Sequence, residues 1–465
     1  MNIKVDEESK EDKKGKKIEA IDIVNKAMKN NFDEAVSTTS SYDAIYMKIV
    51  DSKIDSVVYK NDNSGSLFVS HEKKIFESDI PTLEEHVIDA NIDKIKFLMT
   101  SLKPKKDYKG IAPGPFKYKP SKHFDKKLEE LDIEGLSDIA LELINTALEN
   151  GGSKISGMLI LKNNRYSLAT SKNVDVSDKS NSLRISLRVF NDYTSYQEVT
   201  ASTSLNDINP KKFSKHVTDV ISDVKEYGQI RNGKYDIIYM PAPAANLLGY
   251  VNFSACVGNI ENGDSFLTLK EIGSEVASKN LTIYDDGNVE NAIMSSSFDD
   301  EGYPTGRHAV IDRGIFKTKL HNYSTAMKYH TESTGNGGLI NPEPKTLVVE
   351  HKKVLNSIDD LIKQVGRGIL ITNVWYTRFS SYLRGEFSTM PRDFAVYIEN
   401  GEKKFIIKQK NIREIVGIRI HENMMRMLNN IEYVANDRIQ ASSWDAGTYA
   451  FVPSILVREV DVSTI

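Results

Sequence analysis

The chain has 465 residues, 40% of them apolar, enough for two or three domains with cores of their own. Its 61 basic and 65 acidic side chains leave a net charge of -4, a balance that points to neither a nucleic acid nor an anionic membrane as partner. The single cysteine, Cys256, excludes an intramolecular disulfide framework and a cysteine-rich zinc site, and fits a reducing cytoplasm.

Residues 1–17 hold 11 charged side chains and almost no large apolar groups, so they read as a disordered tail. Nowhere does a run approach the roughly 20 apolar residues of a membrane-spanning helix, and the start of the chain lacks the apolar core of a secretory signal. An N-terminal α/β subdomain is expected over 18–102. Ile18, Ile21, Val24, Ala27 and Met28 make a helical stripe, followed by short strands at Ala44–Val50, Ser56–Lys60 and Ser66–Ser70. Thr82-Leu-Glu-Glu85 has the pattern of a capping box opening a helix that carries Ile88, Ile92 and Ile95.

Residues 103–123 form a connector, with four prolines, seven lysines and the aromatics Tyr108, Phe116 and Tyr118 between Lys103 and Lys122. Basic residues interleaved with aromatics also suit single-stranded nucleic acid, but the prolines scatter them and the chain is mildly acidic. A central α+β subdomain over 124–232 follows, with a helix at Leu136–Leu148 and a half-buried strand in which Leu183, Ile185, Leu187 and Val189 alternate with polar residues. The last region, 233–465, is rich in β-type runs. A strand at Tyr235–Met240 leads into a helix from Pro241, and short strands at Leu281–Tyr284, Ala309–Ile311, Thr346–Val349, Gly368–Thr372, Phe394–Ile398 and Phe405–Ile407 suggest a barrel-like or sandwich core. A late helix near Asn423–Val434 places Met424, Met427, Leu428 and Ile431 on one face, a core pattern. The fold class is therefore α+β, an α/β N-terminal part followed by a β-rich C-terminal domain.

Several short polar and glycine-rich signatures follow one another in the last region. Phe298-Asp-Asp-Glu-Gly-Tyr-Pro-Thr-Gly-Arg307 leads to Asp312-Arg-Gly-Ile315, Ala326-Met-Lys328, Ser333-Thr-Gly-Asn-Gly337, Pro342-Glu-Pro344, Gly385-Glu-Phe-Ser388, Glu399-Asn-Gly-Glu402 and Asn436-Asp437. Each alone is ordinary turn chemistry. As an ordered set they resemble the TldD/PmbA family, also called modulators of DNA gyrase, over nearly the whole chain from residue 18.

That resemblance implies two kinds of subunit. TldD-type subunits resemble zinc peptidases and carry His-Glu-x-x-x-His on a helix, with a late cysteine as a further ligand. PmbA/TldE-type subunits lack the motif and pair with the first kind. Placed outward from Lys270-Glu-Ile-Gly273, the motif falls on Gly249-Tyr-Val-Asn-Phe-Ser254, so that Gly249, Tyr250 and Ser254 stand where the two histidines and the glutamate would be; the cysteine position falls near Ser442 or Ser443. A catalytic zinc needs about three protein ligands plus a water and a carboxylate to take its proton. Glycine offers no ligand and serine a poor one, so no metal and no zinc-hydrolase activity are expected of this chain alone.

Other candidates are weaker. His308, His321 and His330 are not brought together by strand spacing, and His421-Glu422 lacks a second histidine. Asp299, Asp300 and Glu301 could serve acid-base work or a hard cation, though the adjacent Gly302 and Pro304 favour a structured turn. The Ser333–Gly338 run could cradle an anion or form a loop around a cleft. Ser254 and Cys256 have no histidine nearby in sequence to activate them. The expected role is that of a PmbA/TldE-like subunit, paired with a TldD-like zinc peptidase or with itself as a dimer, that helps position unfolded peptides, with Tyr250, Asn252, Ser254, Arg307 and Asn336 lining the peptide cleft. The alternative is a stand-alone homodimeric peptide-binding or regulatory protein.

Overall fold

The computed structural model describes residues 18–222, 224–408, 417–442 and 449–464. The tail reading for 1–17, and Ser443, fall outside them. The fold is mixed α+β, with a large N-terminal sheet followed by a β-rich C-terminal region that contains a closed barrel.

Helix α1 (Ala20–Lys29) precedes three strands, β1 (Glu34–Val50), β2 (Lys53–His71) and β3 (Lys74–Ile80), and helix α2 (Glu85–Met99). Helix α1 buries Ile23, Val24 and Ala27 against the sheet, with Ile18, Ile21 and Met28 packed at the margin. Ile88, Ile92 and Ile95 of α2 join the same core, but this helix opens at Glu85 without a side-chain cap. The runs expected as two strands at 56–60 and 66–70 are one 19-residue strand, because Asn61-Asp-Asn-Ser-Gly65 continues the β1 ladder instead of turning.

Residues 103–123 contain no helix or strand. Beyond them come helix α3 (Ile133–Glu149), strands β4 (Lys154–Thr170), β5 (Val174–Phe190) and β6 (Ser195–Ser202), and helix α4 (Pro210–Ser222). The two sides of the connector share one six-stranded sheet of order β3-β2-β1-β4-β5-β6, in which β1 pairs with β4 from Val36 against Thr170 to Ile49 against Gly157. Leu183, Ile185, Leu187 and Val189 of β5 all point to the core, as their alternation requires.

In the C-terminal region, strand β7 (Gly233–Tyr239) runs into helix α5 (Pro241–Ala255), which starts with proline in its first turn. Strands β8 (Leu281–Asp286), β9 (Arg307–Asp312) and β10 (Thr346–His351) form the middle of a second six-stranded sheet, with β8 between the other two. The remaining long strands are β11 (Arg367–Ser381), β12 (Glu386–Glu399), β13 (Ile418–Asn423) and, after the short helix α6 (Met424–Asn430), β14 (Ile455–Thr464). The pairs β14-β7, β7-β11, β11-β12, β12-β13 and β13-β14 close on themselves as a five-stranded barrel. Met424, Met427 and Leu428 are buried as expected, while Ile431 begins a strand rather than ending a longer helix. Helix α5 lies between the barrel and the second sheet and is buried on nearly every side.

Candidate functional site

Burial on nearly every side explains why α5 is rich in Ala and Leu, and it leaves only Gly249, Tyr250 and Phe253 near the surface. The Tyr250 ring lies 4.6 Å from Phe379, which stacks on Tyr382 at 4.7 Å, and Phe253 stands 6.4 Å from Tyr382. The surface over Gly249–Phe253 is thus an aromatic shelf made by α5 and the β11–β12 hairpin.

Behind the shelf lies a buried polar cluster centred on Asp285, near the end of β8. Asn252 of α5, 1% exposed, donates from Nδ2 to Asp285 Oδ1 at 3.0 Å and to the Tyr284 carbonyl at 3.2 Å. From the other side Asn336, fully buried, donates to Asp285 Oδ2 at 2.7 Å and to the Glu343 carbonyl at 2.9 Å. The Lys345 backbone N–H completes the set at 2.7 Å. Desolvation nonetheless dominates and pushes the Asp285 carboxyl up to about 6.

A second part of the cluster is the turn Asp299–Tyr303. Asp299 accepts backbone N–H bonds from Glu301 and Tyr303 on Oδ1 and from Gly337 on Oδ2. The anion that the Ser333–Gly338 run meets is therefore the chain's own carboxylate. Gly335 (φ 67°) is required there, since a Cβ would fall 2.3 Å from the Pro304 carbonyl oxygen. Glu301 accepts from the Tyr323 N–H at 2.7 Å. Burial raises both carboxyls, Asp299 to about 7 and Glu301 well above its ordinary range, and their mutual repulsion adds to the effect on Glu301. Desolvation lowers Lys345, but Asp300, Asp299, Asp285 and Glu343 together outweigh it and hold the ammonium charged.

Asn252 and Asn336 are therefore brought together, on Asp285. Ser254 is also buried, and its carbonyl accepts from the Ser265 hydroxyl at 2.6 Å. Arg307 reaches solvent, paired with Glu350 at 2.8 Å and Asp286 at 3.7 Å and lying 3.9 Å over the Tyr284 ring. Tyr250 belongs to the aromatic shelf and does not join the Asp285 cluster. Cys256 is buried with its thiol directed at the Asn252 carbonyl, and burial raises its pKa, which argues against a nucleophile. His321 is buried beside Thr325 and desolvation lowers it to about 4.

Gly249, Tyr250 and Ser254 do not fit a zinc ion: glycine has no side-chain donor, the Tyr250 ring packs on Phe379, and a serine hydroxyl is a poor ligand. Among the described residues, no three His, Cys, Asp or Glu side chains are grouped to hold a metal.

Residues 232–464 match the model of the PmbA/TldA metallopeptidase C-terminal domain. The chain belongs to this family. An uncharacterised protein of Methanocaldococcus jannaschii is 26% identical over 62% of this chain and 68% of its own length. Metalloprotease PmbA of Escherichia coli O157:H7 is 25% identical over 50% of this chain and 46% of its own length. The match to PmbA thus spans less than half of that protein. The crystal structure of TldE from Thermococcus kodakarensis superimposes with a TM-score of 0.81 at 19% identity, over 95% of this chain and 99% of that one, and shows a shared fold.

The sequence pointed to the turn at Asp299–Gly302; Asn252 and Asn336 were expected to line a peptide cleft, and their burial on Asp285, like Lys345 and the Tyr250–Phe379–Tyr382 shelf, was not anticipated. Tyr284-Asp-Asp-Gly287 looks like any strand end entering a turn. Only the packing of α5 against β8 turns Asp285 inward.

Proposed function

We propose that this chain is a non-catalytic, PmbA/TldE-like subunit of a TldD/TldE-type metallopeptidase assembly that handles unfolded peptides, with zinc in a TldD-like partner. The observation that carries this reading is α5. At the place where the resemblance puts His-Glu-x-x-x-His, the helix presents Gly249 and the Tyr250 ring of an aromatic shelf and keeps Ser254 inside. The surrounding carboxylates are occupied by the chain's own amide groups, from asparagine side chains and backbone, which suits a rigid scaffold. Asp285 and Asp299 brace the loop at 333–338 and the slot helix, and so hold the shelf in one position.

Co-purification of the tagged chain from its own cells, with metal analysis and a peptidase assay on an unfolded polypeptide, tests the reading. A TldD-like subunit is expected to accompany it, and zinc and activity should both follow that subunit. A metal-free homodimer that cleaves peptide by itself would refute it, while an inactive homodimer would favour the stand-alone binding protein.

A further inference from the structure

Strand β2 is paired along its whole length with β1, but β3 covers its other edge only from Gly65 to His71. Among the described residues, no backbone hydrogen bond joins the outer edge of Lys53–Ser64 to any other segment. This is a long row of unpaired N–H and C=O groups of the kind that recruits another strand. Charges of both signs guard its ends, at Lys53, Asp55, Lys60 and Asp62, whereas Ser56-Val-Val-Tyr59 between them carries none. Val58 is 56% exposed and Tyr59 65%.

A cavity of about 330 Å³ opens beside that edge, lined by Asp43, Ile45, Tyr59, Asn61, Leu131 and Leu161 among others. The register explains it. Met47, Val57 and Leu159 face one another across three strands and lie in or against the core under α3, so the next rows on that face are Ile45-Tyr59-Leu161 and Asp43-Asn61-Asn163. Those rows run on beyond the N-terminal end of α3, where Leu131 roofs them. A strand added to β2 would point alternate side chains toward this face, and one of them would enter the cavity.

We infer that the outer edge of β2 between Lys53 and Ser64 is a strand-addition site for an extended segment of an unfolded polypeptide, with an apolar or aromatic side chain seated between Ile45, Tyr59, Leu131 and Leu161. Backbone hydrogen bonds hold the segment whatever its sequence, and the cavity adds a preference. A second copy of this chain fills the site less well. Two-fold pairing centred on Val58 sets Val57 of the copy beside the cavity, and that side chain is already packed against its own core. The inference rests on the peptide-handling reading above and locates where the handling occurs.

Hydrogen–deuterium exchange on the purified full chain tests it, with reduced, carboxymethylated α-lactalbumin as a permanently unfolded probe. At least tenfold slower exchange in 53–64 is expected on adding the probe. Val58→Lys, at an exposed position, should abolish that protection without lowering the melting temperature, and Tyr59→Ala should weaken probe binding severalfold. Protection appearing elsewhere overturns the site alone, and absence of binding overturns the peptide-handling reading with it. Protection of 53–64 without probe assigns the edge to a second copy if it grows with protein concentration, or to the chain's own remaining residues if it does not, and either result overturns the inference.

Discussion

Asp299 and Glu301 are two residues apart, fully enclosed, and unequal. Asp299 receives three backbone N–H bonds and faces Lys345, whereas Glu301 receives one, from Tyr323, so at neutral pH the proton resides on Glu301. Both carboxyls bind protons more tightly in the folded chain than in the unfolded one, Asp299 titrating near 7 and Glu301 well above its usual range. Their contribution to stability is thus full below the ordinary carboxylate range, near pH 4; that of Asp299 is lost as pH rises through 7, and that of Glu301 persists to higher pH. Glu301→Gln keeps an acceptor for the Tyr323 N–H and cannot ionise. Its unfolding free energy should be close to that of the unchanged protein at pH 4 and exceed it at pH 8, by more than about 1 kcal/mol. Equal pH dependence of the two proteins would show that the pair does not titrate in this window. The turn itself was legible in the sequence, because Asp, Gly and Pro at close spacing announce one. Its partners were not, since Gly337, Tyr323 and Lys345 converge on it only through the packing of separate loops.

Elements were most legible where one face is buried. Ile88, Ile92 and Ile95 of α2 and the alternation in β5 declare their periods because the positions between them carry mostly polar or charged side chains. Strand β2 reads as broken because Asn61-Asp-Asn-Ser-Gly65 has the composition of a turn, whereas its pairing with β1 keeps it extended. The connector follows neither period, and its aromatics explain how it is nevertheless fixed. Tyr118 donates to the Gly302 carbonyl and packs on Phe298, Phe116 packs on Tyr303, and Tyr108 donates to Glu34 Oε2 at 2.7 Å from a buried position. These rings face the protein and lace the family's Asp299–Tyr303 turn to the N-terminal sheet. Tyr108→Phe should lower stability by about 1.5–3 kcal/mol, the range for a hydrogen bond to a charged group, whereas Lys119→Ala on the exposed side of the same segment should change it by under about 0.5 kcal/mol. Chemical denaturation compares them, and equal small effects would mean that the connector is not anchored through Tyr108.

At the scale of the whole molecule, one of the hydrophobic cores crosses from the N-terminal sheet to the barrel. One continuous cluster contains Met47, Leu159 and Leu187 of the N-terminal sheet, Leu143 of α3, and Ile238, Leu370, Phe394 and Leu456 from the barrel strands β7, β11, β12 and β14. The outward face of the barrel and the helix-covered face of the first sheet therefore leave water against each other, so neither can lose its partner without exposing large apolar side chains. Calorimetry should show one cooperative transition rather than two. Leu159→Ala in β4 and Leu370→Ala in β11, both in this shared cluster, should each cost about 2–5 kcal/mol and displace that same transition. Two resolved transitions, with each substitution moving only one, would mean that the interface is a docking contact between independent domains. In that case the distance between the slot helix α5 and the open edge of β2 would vary with domain motion. A single transition makes that distance a fixed property of the fold, as the proposed role of presenting peptide to a partner would require.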